Sequence, residues 1–422
     1  MTRYEGYGTA SSASVMPTMN EQRASFEHAR QGGARRQKLQ ERGLLFSAEA
    51  SGQRAFVRVL PSTAMAVSRS SKSMRWMRSV GGLAIGAVAG WICSRLHTPI
   101  PWMLGPLCTL AALRVSDVDI PEFAGGRQAG QWVIGTSLAL YFTPTVLRQV
   151  AGLWPWLAAG ALFAIVLGYA AGLVLAQLAR LDRTSATFAC VPGGASEMAV
   201  LGERFGARVD KVAAGQSIRI LVVVIVLPAL YTALGVHGAD QYIPGATQFE
   251  PGGFALLMAG TFVAGLAVQA LNVPNAFVLG PLAVAVPLTA MEVNLSAVPT
   301  WASNGGQVLI GCALGARFRP DFLHGAPRFV AAMVATSLVA IGFSALFGWA
   351  LAASAGLYPA TLILGTAPGG IAEMCITAKV LQLGVPVVTS FHVVRLVVLL
   401  LGTAPFFTVA RDWRRRRLRR EA

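Results

Sequence analysis

Apolar positions along this chain fall into long blocks separated by Gly, Pro or isolated charged residues, as in Leu221–Leu227 and Leu396–Gly402. The blocks predict membrane-crossing helices over about 80–96, 101–115, 128–147, 154–180 and 212–235. A second series is predicted over about 253–271, 275–291, 303–317, 328–356 and 387–410. Several are shorter than the ~20 residues that a straight spanning helix needs. Two further segments, about 184–203 and 358–379, are apolar but interrupted by Pro-Gly-Gly. Residues 1–73 are polar, lack sustained periodicity and carry no secretory apolar segment, so disorder is the expectation there. Met65 and Met74, just before the positive flank Arg75 and Arg78, are alternative translation starts.

The two series repeat each other. Pro192-Gly193-Gly194-Ala195-Ser196-Glu197-Met198 returns as Pro368-Gly369-Gly370-Ile371-Ala372-Glu373-Met374, 176 positions later. Gly130-Gln131 and Gly135 return as Gly306-Gln307 and Gly311, Phe142 and Pro144 as Phe318 and Pro320, and Arg219 as Arg395, all in the same register. Trp102–Leu107 is answered by Phe277–Leu282 through a shared Leu-Gly-Pro-Leu. The chain is therefore read as an all-α, internally duplicated membrane protein. Its parts are a basic N-terminal extension (1–79), a first repeat (80–236), a linker (237–252), a second repeat (253–410) and a basic tail (411–422).

Composition agrees with the pattern. Hydrophobic residues make up 54% and charged residues 13%, against about 25% charged in soluble domains. The 45 glycines suit helices that pack closely through small residues. A net charge of +16 points first to nucleic acid, but its distribution points away. The extension holds +8 and the tail +5, leaving only +3 for the body between them. The arginine tail directly follows an apolar run, as expected for cytoplasmic anchoring against anionic lipid. A lipid bilayer is thus the expected partner and nucleic acid is not; a homo-oligomer stays open.

Charge placement also bears on topology. With the N-terminus inside and the Pro-Gly-Gly segments re-entrant, Arg114, Arg127, Arg180, Arg183, Arg204, Arg208, Lys211, Arg317, Arg319 and Arg328 all fall on the cytoplasmic side. The stretch 236–252, with Asp240 and Glu250 and no Lys or Arg, falls outside. This favours five spans per half and about ten in all. An odd count inverts the second repeat relative to the first, a recurrent secondary-transporter design. Six spans per half, duplicated in parallel, is the alternative.

The candidate site follows from the breaks. Proline removes a backbone donor, and paired glycines permit conformations that a helix does not use. Inside a bilayer such a break survives only where protein or a wet cavity satisfies the freed backbone groups. Glu197, Glu373, Arg219 and Arg395 are ionisable residues within spans, and each Arg follows its Glu by 22 residues. Such residues are costly there and face a cavity or a partner. A Glu–Arg pair that neutralises both charges is expected, either as a structural ion pair or as part of a substrate or proton site. Gln216 and His392 precede the arginines by three residues and share their helix face. Half-helices starting after Pro192-Gly193-Gly194 and Pro368-Gly369-Gly370 would aim unpaired N–H groups at a small anionic solute.

With its two Pro-Gly-Gly-x-x-Glu-Met copies, Leu-Gly-Pro-Leu elements and Gly-Gln-x-x-x-Gly segments, the sequence resembles the bacterial AbrB-type membrane protein family over about 80–410. That family also carries an ammonia monooxygenase label and one concerning regulation of gene expression. The resemblance implies a multi-pass protein of the bacterial inner membrane. The small soluble DNA-binding regulators of the same name have a different fold. An oxygenase needs clustered His and carboxylate ligands. The five histidines are scattered, and only His392 accompanies the two glutamates. The five cysteines form no Cys-x-x-Cys. No metal or cofactor is expected. The function expected is secondary transport of a small, anionic solute through a site between inverted repeats, with regulation of gene expression as the alternative.

Overall fold

Prolines and glycines set the ends of nearly every element. The structure is a computed structural model that describes residues 64–238, 242–318 and 326–421. The first 63 residues, where disorder is expected, and the loop with Arg319 and His324 lie outside the described residues. The first half forms α1 (Ala64–Arg95), α2 (Pro101–Val115), α3 (Gly126–Ala139), α4 (Pro144–Gly152), α5 (Trp154–Leu178), α6 (Arg183–Cys190), α7 (Ala195–Arg204) and α8 (Val209–Ala233). The second forms α9 (Pro251–Ala270), α10 (Ala276–Ala290), α11 (Thr300–Gly315), α12 (Pro327–Ala355), α13 (Pro359–Thr366), α14 (Ile371–Val380) and α15 (Val385–Glu421). All regular structure among the described residues is helical.

Proline opens α2, α4, α9, α12 and α13, where its missing N–H costs nothing. Gly356, at φ 65°, ends α12 in the left-handed conformation that a side chain disfavours. α1 begins at Ala64, well before the apolar stretch expected from residue 80. α15 continues without a break from the last apolar run through the arginine tail to Glu421.

Ten spans are expected from the sequence, but six helices among the described residues are long and apolar enough to cross a membrane. They are Met74–Arg95, Trp154–Leu178, Val209–Ala233, Pro251–Ala270, Pro327–Ala355 and Val385–Thr403. The other candidates, α2, α3, α10 and α11, have 14 to 16 residues. At 1.5 Å per residue they reach only about 21–24 Å, short of a ~30 Å hydrocarbon core. Their limits are local. A left-handed residue precedes three of them (Ile100, Gly125 and Asn275), and Pro299 precedes α11.

Burial sorts the helices into layers. In α1 and α9 only 22% of the apolar window is buried, and Trp76, Trp91, Leu256 and Val263 face outward. In α8 and the apolar part of α15 the figures are 61% and 65%. These two helices, with the short segments packed against them, form the interior.

Small residues fix the closest approaches. α3 and α11 cross at Gly130 and Gly306, where a methyl group on Gly130 would lie 2.6 Å from the Gly306 carbonyl oxygen. Gly126 neighbours Leu309, and Gly306 neighbours Ile134. Contacts therefore descend one helix while climbing the other, and the crossing is antiparallel. Outer contacts are reciprocal: Gly135 of α3 packs on Val278 of α10, and Gly311 of α11 packs on Met103 of α2. α6, α7 and α8 begin 176 positions before α13, α14 and α15 respectively.

Candidate solute site at the paired helix breaks

Each Pro-Gly-Gly break is shaped by its own next four residues. Gly194 is the N-cap of α7, and the Glu197 carboxylate folds back over the space that a Cβ on Gly194 would occupy. Glu373 does the same over Gly370, the N-cap of α14. Met198 fills the equivalent space at Gly193, with Cγ 2.5 Å from a Cβ position, and Met374 does so at Gly369 at 2.7 Å. A side chain on either glycine would displace the Glu or Met that follows. An acidic residue at the third position of a helix also complements its positive end.

The arginines do not pair with the glutamates. Among the described residues no ion pair joins Glu197 or Glu373 to Arg219 or Arg395, which corrects the pairing expected from the sequence. Arg219 Nη1 instead donates to the carbonyls of Cys190 (3.1 Å) and Val191 (3.0 Å), and Nη2 reaches Gly193 O at 3.5 Å. Arg395 donates to Ala367 O and Gly369 O, the equivalent carbonyls of the second half. These carbonyls cluster where α6 and α13 stop, at the negative ends of their dipoles, and Val191 O also accepts from Gly193 N–H at 2.8 Å. The bare break therefore finds its partners in a buried guanidinium from the helix that follows.

The neighbours three residues earlier complete each cap. Gln216 Nε2 donates to Phe188 O and Val191 O, both at 2.8 Å, and its Oε1 accepts from Arg219 at 2.9 Å. His392 Nε2 lies 3.1 Å from Leu364 O, the carbonyl equivalent to that of Phe188. His392 Nδ1 is buried without a partner.

The two breaks meet. Pro192, Gly193 and Gly194 of the first half and Gly369, Gly370, Glu373, His392 and Arg395 of the second line one cavity of about 30 Å³. Pro192, Pro368 and Arg219 line a narrower space of about 10 Å³ beside it. Glu197 and Gln216 line neither. Glu373 is only 2% exposed, and its Oε1 has no hydrogen-bond partner.

Sequence reasoning missed Arg127, Gln131 and Asn275, which line the same cavity. Gln131 Nε2 donates to Asn275 Oδ1 at 3.3 Å, while the Arg127 Nε is buried and unpartnered. Gln131 lies in the repeated Gly-Gln element and could have been found there. Arg127 was accounted for as a loop charge. A larger, open pocket of about 420 Å³ lies elsewhere, lined by His237, Tyr242, Tyr358, Thr361 and Gln382 among others. Among the described residues its lining includes no Lys, Arg, Asp or Glu.

The sequence profile described as "Transition state regulatory protein AbrB" matches residues 102–411. The chain is 25% identical over 360 residues to "Uncharacterized protein YhjN" of Bacillus subtilis (strain 168), covering 80% of this chain and 94% of that one. It is 23% identical over 326 residues to "Putative regulator AbrB" of Escherichia coli (strain K12), covering 76% and 90%. With most of its length matched, including both breaks and the arginines that cap them, the chain belongs to the AbrB family.

Proposed function

We propose that this chain is a secondary transporter of the bacterial inner membrane, moving a small anionic solute through the cavity between its two helix breaks. The observation that carries the proposal is the meeting of both Pro-Gly-Gly segments at one buried cavity with charged side chains in its wall. Broken helices converging from two repeats are how many secondary transporters build a site. The N-termini of α7 and α14 both start at that cavity, which suits an anion.

In this proposal the chain carries ten spans as two inverted repeats of five, the short helices being spans shielded by their neighbours. The antiparallel crossing of α3 and α11 at equivalent glycines supports inversion. A twofold axis along the helices would make equivalent helices parallel, and only an axis across them makes them antiparallel.

The test is uptake of a panel of small carboxylates and inorganic anions by proteoliposomes holding the purified full chain. Flux of at least one anion is expected, at least tenfold reduced by Glu373→Gln with the thermal transition retained. No flux across the panel, or full flux in that variant, sinks the proposal. The name of the Escherichia coli relative favours a second reading, regulation of gene expression. That reading requires deletion of 411–422 to change expression and Glu373→Gln to leave it alone.

A further inference from the structure

The two breaks are equivalent in sequence, but their surroundings are not. Both backbones line the cavity, but of the polar side chains only those that accompany the second break, Glu373, His392 and Arg395, line it, whereas the first half's Glu197, Gln216 and Arg219 do not. Around it, Arg127 stands where the other half has Ser303, Asn275 where it has Ile100, and His392 where it has Gln216. In the first half both ends of the Gln216 amide are spent on carbonyls and on Arg219, and that cap's unpartnered atom, the Arg219 Nε, lies outside this cavity.

The second half leaves polar atoms unspent. Glu373 Oε1 and His392 Nδ1 are buried and unpartnered in the cavity wall, and so is the Arg127 Nε. A carboxylate and a guanidinium sharing one wall would normally close on each other, as charged hydrogen bonds are the strong ones. Arg127 and Glu373 do not form an ion pair and face a gap of about 30 Å³. A carboxyl that takes up a proton becomes a hydrogen-bond donor.

The sign of the ligand follows from the charges present. Arg395 is committed to the carbonyl end of α13, so its charge is largely answered there. Arg127 is not committed, and the N-termini of α7 and α14 each add roughly half a positive charge. Arg219 lies behind the first break. Arg317, just past α11, is held below the usual arginine range by burial first and then by Arg127, while Glu122, Glu373 and Glu197 act the other way. Against this excess of positive groups, Glu373 is the one acidic side chain in the wall among the described residues. A cation is repelled and an anion is drawn in.

Resting on the transport reading, we infer that this cavity binds the carboxylate group of a small monocarboxylate, bridged between Arg127 and protonated Glu373, so that one anion and one proton enter together. Gln131 and Asn275 complete the wall, and the Glu197 break is a structural counterpart. Atoms balance simply: the proton taken up by Glu373 donates a hydrogen bond to the bound carboxylate and leaves with it.

The test is calorimetry of the purified full chain with acetate as the probe, at acid and neutral pH, in two buffers of different ionisation enthalpy. Chloride and phosphate serve as comparators. Acetate is expected to bind with uptake of about one proton, its affinity falling about tenfold per pH unit once Glu373 must be protonated on binding. Glu373→Gln, a permanently neutral mimic, should keep acetate binding and lose both proton uptake and pH dependence. Arg127→Gln should weaken binding at least tenfold, and Glu197→Gln should leave it unchanged; thermal unfolding of each variant checks its fold. Absence of acetate binding, binding of chloride or phosphate in its place, proton uptake surviving in Glu373→Gln, or its loss in Glu197→Gln overturns the inference. Proton-linked acetate binding without flux leaves this site standing and removes transport. Flux that is reduced in Glu373→Gln but keeps the wild-type pH dependence does the reverse.

Discussion

At the scale of single residues, the two conspicuous arginines act on backbone before they act on anything else. Arg219 satisfies carbonyls of Cys190 and Val191 in a region that water does not reach. Arg219→Gln should therefore destabilise the protein by about 1–3 kcal/mol, the cost of leaving the Cys190 carbonyl unpaired, since Val191 O keeps Gln216 Nε2 and Gly193 N–H. Thermal unfolding in detergent measures it, and a transition at the wild-type temperature contradicts the capping role. The motif was legible in the sequence as a break, and its Glu and Met as repeated companions. The arginines' partners were not legible, because a carbonyl freed at a helix end has no letter of its own. A Glu 22 residues away is visible and a carbonyl is not, so the carboxylate was the natural but incorrect partner. Arg127 was overlooked for a related reason: the positive-inside rule already explained it, and one explanation hid the other.

At the scale of elements, the crossing of α3 and α11 depends on two glycines facing each other. Gly130→Val would place side-chain atoms against the Gly306 carbonyl and the Leu309 and Ile310 side chains. A change of this kind costs typically 1–3 kcal/mol through overpacking. Gly152→Val, where a Cβ meets nothing within 4 Å, is the control for a glycine that packs against nothing. Thermal unfolding should separate the two variants, and equal transitions would show that the crossing is looser than described. Helix starts in the repeated region were legible because Pro and Gly mark them and the 176-residue register copies them. Span lengths were legible too for α2, α10 and α11, whose bounds follow the apolar blocks to within a few residues. α3 is the exception: apolar sequence runs on through Leu140, Tyr141 and Phe142, but the helix stops at Ala139 and Pro144 opens a new one.

At the scale of the whole molecule, inversion makes a prediction about sides. With five spans per half, the linker between the repeats and the arginine tail lie on opposite faces of the membrane. A single cysteine placed at Gln248, in a background lacking the native cysteines, should react with an impermeant thiol reagent from the periplasmic side. One placed at Arg420 should react only after the membrane is opened. Labelling of both from the same side excludes an odd number of spans per half. The linker itself is tied down at several points, among them Gly238 N–H to Leu381 O at 3.0 Å, Gly245 N–H to Leu140 O at 2.8 Å and Ala297 N–H to Gln248 O at 2.8 Å.

The tether from each arginine to its break joins a short helix to the long helix that follows it in the chain. α6 is held by α8 through Arg219, and α13 by α15 through Arg395. If transport as proposed moves such a pair as one body, the carbonyls of the break travel with the guanidinium that solvates them, and its bare peptide groups need not meet hydrocarbon.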